Sequence, residues 1–220
     1  MGKIFQFLTD LKQNNNREWF QANAELYHHV KSAHEKLVAE IIIQISAFDN
    51  EIGLLKPADC IFRIYRDVRF SKNKDPYKTA IGAFFSRGGK QSRYAGYYLH
   101  IEPQNSFIGG GLWQPQTEVL KSVRREIYYN SDEFKAIIHD PDFVKTFGNL
   151  WDEKLKKAPK DFPSDFKDID LLKYKSYVVG HPLTDDFLIS NNSVKDLLQI
   201  FKLMKPYFDF LNRGIEATKV

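Results

Sequence analysis

Over the first fifty residues, apolar side chains return at steps of three and four: Phe5, Leu8 and Leu11, then Leu26, Val30, Ala33, Leu37, Ile41 and Ile45 between about Asn23 and Phe48. That spacing predicts helices with one apolar stripe each. The NNNREWF stretch between them reads as a turn into a helix, with Asn15 and Glu18 spaced as a capping box. From Cys60 the period changes to two, which predicts strands over 61–70, 80–86, 94–102 and 106–113, separated by turns rich in Gly, Pro, Lys or Asn. The connections are too short for crossover helices, so an antiparallel meander is expected. Helical spacing resumes at 116–129 through Val119, Leu120, Val123 and Ile127, and Ser131 caps a short helix that Pro141 punctuates. Residues 150–183 hold two strand-like pieces, WDEKLKK and SYVVG, around a Pro- and Asp-rich loop. A final helix is expected after a cap at Asn192 or Ser193, with Val194, Leu197, Leu198, Phe201 and Met204 on its apolar face and Pro206 ending or kinking it. With no repeat or linker, residues 1–220 read as a single α+β domain: helical over 1–50, a sheet over about 60–113, then helices around a weakly patterned strand pair.

Composition narrows the class. Of 220 residues, 43% are hydrophobic and 15% aromatic, ample for a sizeable core, and the 27% charged residues lack the large net charge of a disordered chain. Cys60 is the single cysteine, which excludes an internal disulfide, a thiolate-rich metal site and a two-cysteine redox motif, and makes the cytoplasm the expected location. The opening MGKIFQFLTD reaches Asp10 before any apolar run of signal-peptide length, and Gln6 stands where myristoylation needs serine or threonine. No window approaches the roughly 18 apolar residues of a membrane span, so no membrane partner is expected.

Charge singles out one segment. FRIYRDVRFSKNKDPYKT, residues 62–79, holds Arg63, Arg66, Arg69, Lys72, Lys74 and Lys78 against Asp67 and Asp75; the rest of the chain has 26 basic and 26 acidic side chains, so the whole net charge of +4 lies here. If residues 62–70 form a strand, Arg63, Tyr65, Asp67 and Arg69 share one face, and Arg66 falls among Phe62, Ile64, Val68 and Phe70 on the other. The charged face is either a self-neutralised ladder of Asp67 with Arg63 and Arg69, or one wall of an anion site. Arg66 needs a carboxylate, a sheet edge or a bound anion, because a guanidinium cannot discharge. The following SKNKDPYKT reads as an exposed loop in which Ser71, Lys74, Tyr77 and Lys78 supply charge and hydrogen bonds to a phosphate or carboxylate.

These residues also carry a resemblance. FLTDLKQNNNREWFQANAELYHHV, FRIYRDVRFSKNKDPYKT, YAGYYLHIEPQNSFIGGGLWQP and VRREI resemble the widespread, uncharacterised family catalogued as domain of unknown function 2461, over most of the chain. The resemblance implies a single-domain member of a mostly bacterial family. It implies no activity, substrate or cofactor, so no catalytic residue carries over. Its motif covers Arg63, Arg66, Asp67, Arg69, Phe70, Ser71, Lys74, Pro76, Tyr77 and Lys78, the segment that charge had singled out.

Two further stretches bear on chemistry. In YYLHIEP, alternation places His100 and Glu102 with Tyr98 on one face, a pairing that supports acid–base catalysis, with Asp67 a third member if the strands bring it near. Its bland counterpart is a merely hydrogen-bonded histidine. FIGGGLWQP places Gly109, Gly110 and Gly111 where a ligand can approach the backbone, or where a large ring packs; neither a phosphate-binding loop nor a dinucleotide fingerprint is present. His28, His29 and His34 lack metal-ligand spacing, so no metal and no cofactor are expected. Three readings follow: a site for a small anionic or phosphorylated ligand, with or without acid–base catalysis; a nucleic-acid-binding module, from basic residues interleaved with Phe62, Tyr65, Phe70, Tyr77, Tyr94, Tyr97 and Tyr98; and an interaction module for an acidic protein partner. The sequence pI of 8.9 is modest for the second.

Overall fold

In the computed structural model, which describes residues 1–151 and 153–217, the predicted helices and meander form an α+β fold. The helices α1 (Gly2–Gln13), α2 (Arg17–Ala22) and α3 (Ala24–Ser46) lead, through a 3-10 turn at Asn50–Ile52 and the short α4 (Pro57–Cys60), to strands β1 (Ile81–Phe85), β2 (Gly96–Ile101) and β3 (Ser106–Leu112). Then come α5 (Thr117–Tyr129), α6 (Ser131–Ile138), α7 (Pro141–Phe147), α8 (Ile169–Leu172), β4 (Tyr177–Leu183), α9 (Asp185–Ile189) and α10 (Ser193–Glu216). Among the described residues the strands make one antiparallel sheet in the order β1-β2-β3-β4. SYVVG thus belongs to β4. WDEKLKK makes only an isolated bridge, Lys154 to Tyr174, and its Asp152 lies outside the described residues.

The chain divides into two compact units: Met1–Lys90, Tyr98–Ile108 and Pro182–Leu198 form the first, and Gln91–Tyr97, Gly109–His181 and the chain from Gln199 onward form the second. In the first, α1 buries Ile4, Phe5, Phe7, Leu8 and Leu11, and packs on α3, whose stripe is Val30, Val38, Ile41, Ile42 and Ile45. Burying five such side chains at about 1.5–3 kcal/mol each is what holds a helix as short as α1 in place. In the second, Phe201, Met204, Tyr207, Phe208, Phe210 and Leu211 line the inner face of α10, and Tyr97 meets Phe201 and Phe208 with ring centroids 5.0 and 4.7 Å apart.

Two local expectations are corrected, and one of the two outcomes expected at Pro206 is excluded. Asn16, not Asn15, caps α2, accepting from the Trp19 amide at 2.8 Å. Ser131 is the first residue of α6 rather than its cap, and its hydroxyl donates to Asp168 at 2.7 Å. Pro206 does not end the last helix: α10 runs through it to Glu216, because the residues after it bury their side chains, and that burial outweighs the hydrogen bond proline cannot donate.

His34 stands inside the apolar stripe of α3. It is buried, its Nε2 has no hydrogen-bond partner among the described residues, and burial pushes its imidazole pKa down to about 4. An unfolded chain takes up this proton near pH 6.5, whereas the folded one resists it until about pH 4. The neutral imidazole therefore leaves stability intact above pH 6.5, and about 3 kcal/mol is lost as pH falls to 4. Urea titrations at pH 7 and pH 4.5 are expected to show that fall, and His34→Leu to flatten most of it; an unchanged slope in the variant would assign the pH dependence elsewhere.

Candidate functional site

The basic segment is not the regular strand expected over 61–70. Ile61 bridges Ala83 and the Phe62 amide donates to Gly82 O at 3.0 Å, but Lys78 N donates to Ile64 O at 2.8 Å and Arg66 N to Pro76 O at 2.9 Å. The return arm thus carries two extra residues, and the ladder breaks there. Past Arg66 the chain turns, because the Asp67 carboxylate accepts the Arg69 amide at 3.2 Å, an Asx-type turn that ends extended pairing. The base of this two-armed loop is held firmly. Asn15 accepts from Tyr77 N at 3.1 Å and donates to Tyr77 O at 3.0 Å, and the Tyr77 ring stacks on Phe20 at 3.9 Å.

Within the loop the cations meet different fates. Arg69 grips Asp67 through Nε at 3.0 Å and Nη2 at 2.7 Å, both groups exposed, so the self-neutralised alternative holds for this pair. Lys74 donates to Val68 O at 3.0 Å and ties the tip together, and Lys72 is exposed. Arg66, its side chain 25% exposed, has loose partners: Ser71 Oγ at 3.4 Å and the Asp75 carboxylate at 3.9 Å. Arg63 is exposed, and its charge acts on Asp67 and on Lys78. Lys78 is half-buried, its Nζ 5.7 Å from the centre of the Phe62 ring; burial, then the charge of Arg63, lowers its pKa. Among the described residues, neither Arg63 nor Lys78 has a carboxylate or hydrogen-bond partner for its cationic group.

On β2 the alternation holds. Tyr97, Leu99 and Ile101 are buried, and Tyr98 and His100 occupy the half-exposed face. Tyr98 Oη lies 3.0 Å from His100 Nδ1, and His100 Nε2 lies 3.4 Å from Glu102 Oε2, with the His100 and Glu102 side chains 19% and 17% exposed. Glu102 also accepts from Thr79 Oγ1 at 3.1 Å and Asn105 Nδ2 at 2.9 Å, which with His100 hold its carboxyl below the usual range even though burial, the largest single influence, opposes them. Burial lowers the His100 pKa, Glu102 opposes that, and the charge of Lys78 adds to it. An ionised Glu102 can only accept, which assigns the proton of a neutral imidazole to Nε2 and leaves Nδ1 to accept from Tyr98, a phenol kept protonated by burial. The result is a phenol–imidazole–carboxylate chain, with His100 clasped against Phe107 at 4.7 Å. Gly82 makes room for it: a Cβ there would lie 2.9 Å from Tyr98 Oη.

Most of the predicted residues therefore fall into three sets, while Arg66, Ser71, Lys74 and Tyr77 keep to the loop. Lys78, His100 and Glu102 are linked by direct contact or by charge, and Arg63 joins them through Lys78. Asp67 lies with Arg69 at the tip and shares no partner with His100. Gly109 and Gly110 are buried in β3 in the second unit, where a Cβ at Gly110 would meet Phe208 Cζ at 2.3 Å and Met204 Sδ at 2.9 Å, so a helix, not a ligand, fills that space. Cys60 is buried and its thiol is pushed up to about 12, chiefly by burial, which rules out a ready thiolate. Thr79 and Asn105 are not among the predicted site residues; their only signal in the chain is a hydroxyl in the bend before β1 and an amide in the turn after β2.

Fold and site together define an α+β protein with a half-buried lysine near a histidine–carboxylate pair. The family model described as conserved hypothetical protein (DUF2461) matches residues 3–210, and the chain belongs to that family. No curated protein and no solved structure matches it. Among the described residues, no helix is long and apolar enough to cross a membrane.

Proposed function

We propose that Lys78, with Arg63 and Arg66, binds a small phosphorylated or carboxylated ligand, and that the Tyr98–His100–Glu102 chain takes or supplies a proton at that ligand. One observation carries the reading: the half-buried Lys78 ammonium, under the like charge of Arg63, has no hydrogen-bond partner among the described residues. Such an arrangement costs free energy that an anion would recover, since hydrogen bonds to charged groups contribute about 1.5–3 kcal/mol. Thr79, whose hydroxyl is held by Glu102, follows Lys78 directly and adds a polar contact at the same position. A small ligand fits better than a stacking platform for nucleic acid, because Tyr77, Tyr94 and Tyr97 are buried. The same reading takes the protein as cytoplasmic and bacterial, on its lone buried cysteine and its family.

The test is a thermal-shift series with phosphate, pyrophosphate, sugar phosphates and dicarboxylates, since a ligand binding only the native state raises its melting point. Lys78→Met is expected to weaken the responding ligand at least about tenfold. Arg69→Gln is expected to leave it unchanged, because that guanidinium is already occupied by Asp67. Equal responses from Lys78→Met and the unaltered protein would remove the proposal.

A further inference from the structure

A second cationic site lies entirely in the other unit. On α5, Glu118, Lys121, Ser122, Arg125, Tyr128 and Tyr129 recur at steps of three and four and so share a face. Arg124 points away from it, buried, with Nη2 donating to Tyr174 O at 2.9 Å. Two clefts open along this face. One, of about 370 Å³, has Val119 and Ile215 in its lining and is edged by Arg93, Lys121 and Arg125, with Glu118 opposing. The other, of about 450 Å³, is walled by Tyr128, Tyr129 and Phe162, with Asp161 at its edge. Lys121 and Arg125 line both, so the clefts adjoin.

Charge in the first cleft is unbalanced. Lys121 pairs with Asp161 at 3.1 Å, but among the described residues neither Arg93 nor Arg125 has a carboxylate partner, and Arg93 lies over the Tyr94 ring at 5.4 Å. Two guanidiniums edging one cleft suit the oxygens of a phosphate chain, which each can hold in bidentate fashion. The neighbouring rings line the second cleft: Tyr128 is 5.1 Å from Tyr129 and 5.7 Å from Phe162, and Tyr129 is 73% exposed. The Asp161 carboxylate accepts hydrogen bonds from an amino group or a sugar hydroxyl. Phosphate donors beside an aromatic wall, on one helix face, match the two halves of a single molecule.

We propose that this double cleft binds a nucleotide, its phosphates between Arg93, Lys121 and Arg125 and its base against Tyr129 and Phe162. The site is independent of the Lys78 cluster. Isothermal titration of the full chain with ATP, inorganic tripolyphosphate and adenosine tests it, using Arg125→Gln, Tyr129→Ala and Lys78→Met. The first two alter exposed side chains and leave folding intact. ATP is expected to bind with a Kd below about 1 mM, tighter than either fragment. Arg125→Gln is expected to weaken ATP at least about tenfold. Tyr129→Ala is expected to weaken ATP about fivefold to tenfold while leaving tripolyphosphate unchanged. Lys78→Met is expected to change nothing. No saturable ATP binding, or tripolyphosphate binding as tightly as ATP with no effect of Tyr129→Ala, overturns the proposal. So does ATP binding lost with Lys78→Met but kept with Arg125→Gln.

Discussion

Gly111→Ala is expected to destabilise the second unit by about 3–5 kcal/mol and to lower its yield of folded protein sharply. Gly111 has φ of +117°, a conformation L side chains rarely adopt, and a Cβ there would lie 2.0 Å from Tyr177 O, 3.0 Å from Tyr177 C and 3.1 Å from Val178 Cα. All three atoms are backbone of the neighbouring strand β4, so no rotamer change relieves the overlap; the strands must separate or the residue must flip. Gly88 is the control: its φ is +86°, but nothing lies within 4 Å of its Cβ position, so Gly88→Ala isolates the backbone part of the cost, about 1–2 kcal/mol. Denaturant midpoints for the two variants separate these contributions. Equal midpoints would mean that the sheet accommodates a side chain at Gly111 and that the glycine run serves something other than close packing.

That contrast shows what the chain made legible. Helix and strand periods rest on burial, and burial in α1, α3, β2 and α10 follows them. A period of two also persists in an extended arm whose backbone pairs irregularly, which is why 61–70 resembles a strand: Phe62 is half-buried and Ile64 buried although the ladder breaks beyond the Phe62–Gly82 hydrogen bond. The charge excess singles out one segment but cannot say which of its cations are paired. That depends on the Asp67 turn, which commits Asp67 to Arg69; among the described residues Arg63 and Lys78 have no ion-pair partner. The glycine run allows two readings, of which close packing is the stronger, and the positions of Phe208 and Met204, far along the chain, decide for packing at Gly110. Alternation sufficed to place Tyr98, His100 and Glu102 together, because all three lie on one strand and its exit. Thr79 reaches the same carboxylate from 23 residues away, a distance no local pattern reports.

Phe20→Ala is expected to cost about 3–5 kcal/mol and to abolish the anion response with it. Phe20 is buried, stacked on Tyr77 at 3.9 Å with planes 9° apart, and its ring lies 4.9 Å from Tyr27, 6.0 Å from Tyr65 and 6.2 Å from Phe7. It therefore joins α1, α2 and α3 to both arms of the basic loop. Tyr77 precedes Lys78 directly, so whatever fixes its ring also fixes the direction in which the ammonium leaves the backbone. The two hydrogen bonds from Asn15 hold the Tyr77 main chain but not its ring, and cannot replace the stack. Phe20→Leu separates stability from positioning: it keeps most of the apolar volume, costs about 1–2 kcal/mol, and loses the flat face on which Tyr77 rests. If positioning matters, this variant remains folded at 25 °C yet gives a smaller melting-point rise with the responding phosphate or carboxylate than its stability loss alone predicts. A full-sized response in Phe20→Leu would mean that Lys78 is held by its hydrogen bond to Ile64 and its contact with Phe62 alone, and that the aromatic cluster serves only the core.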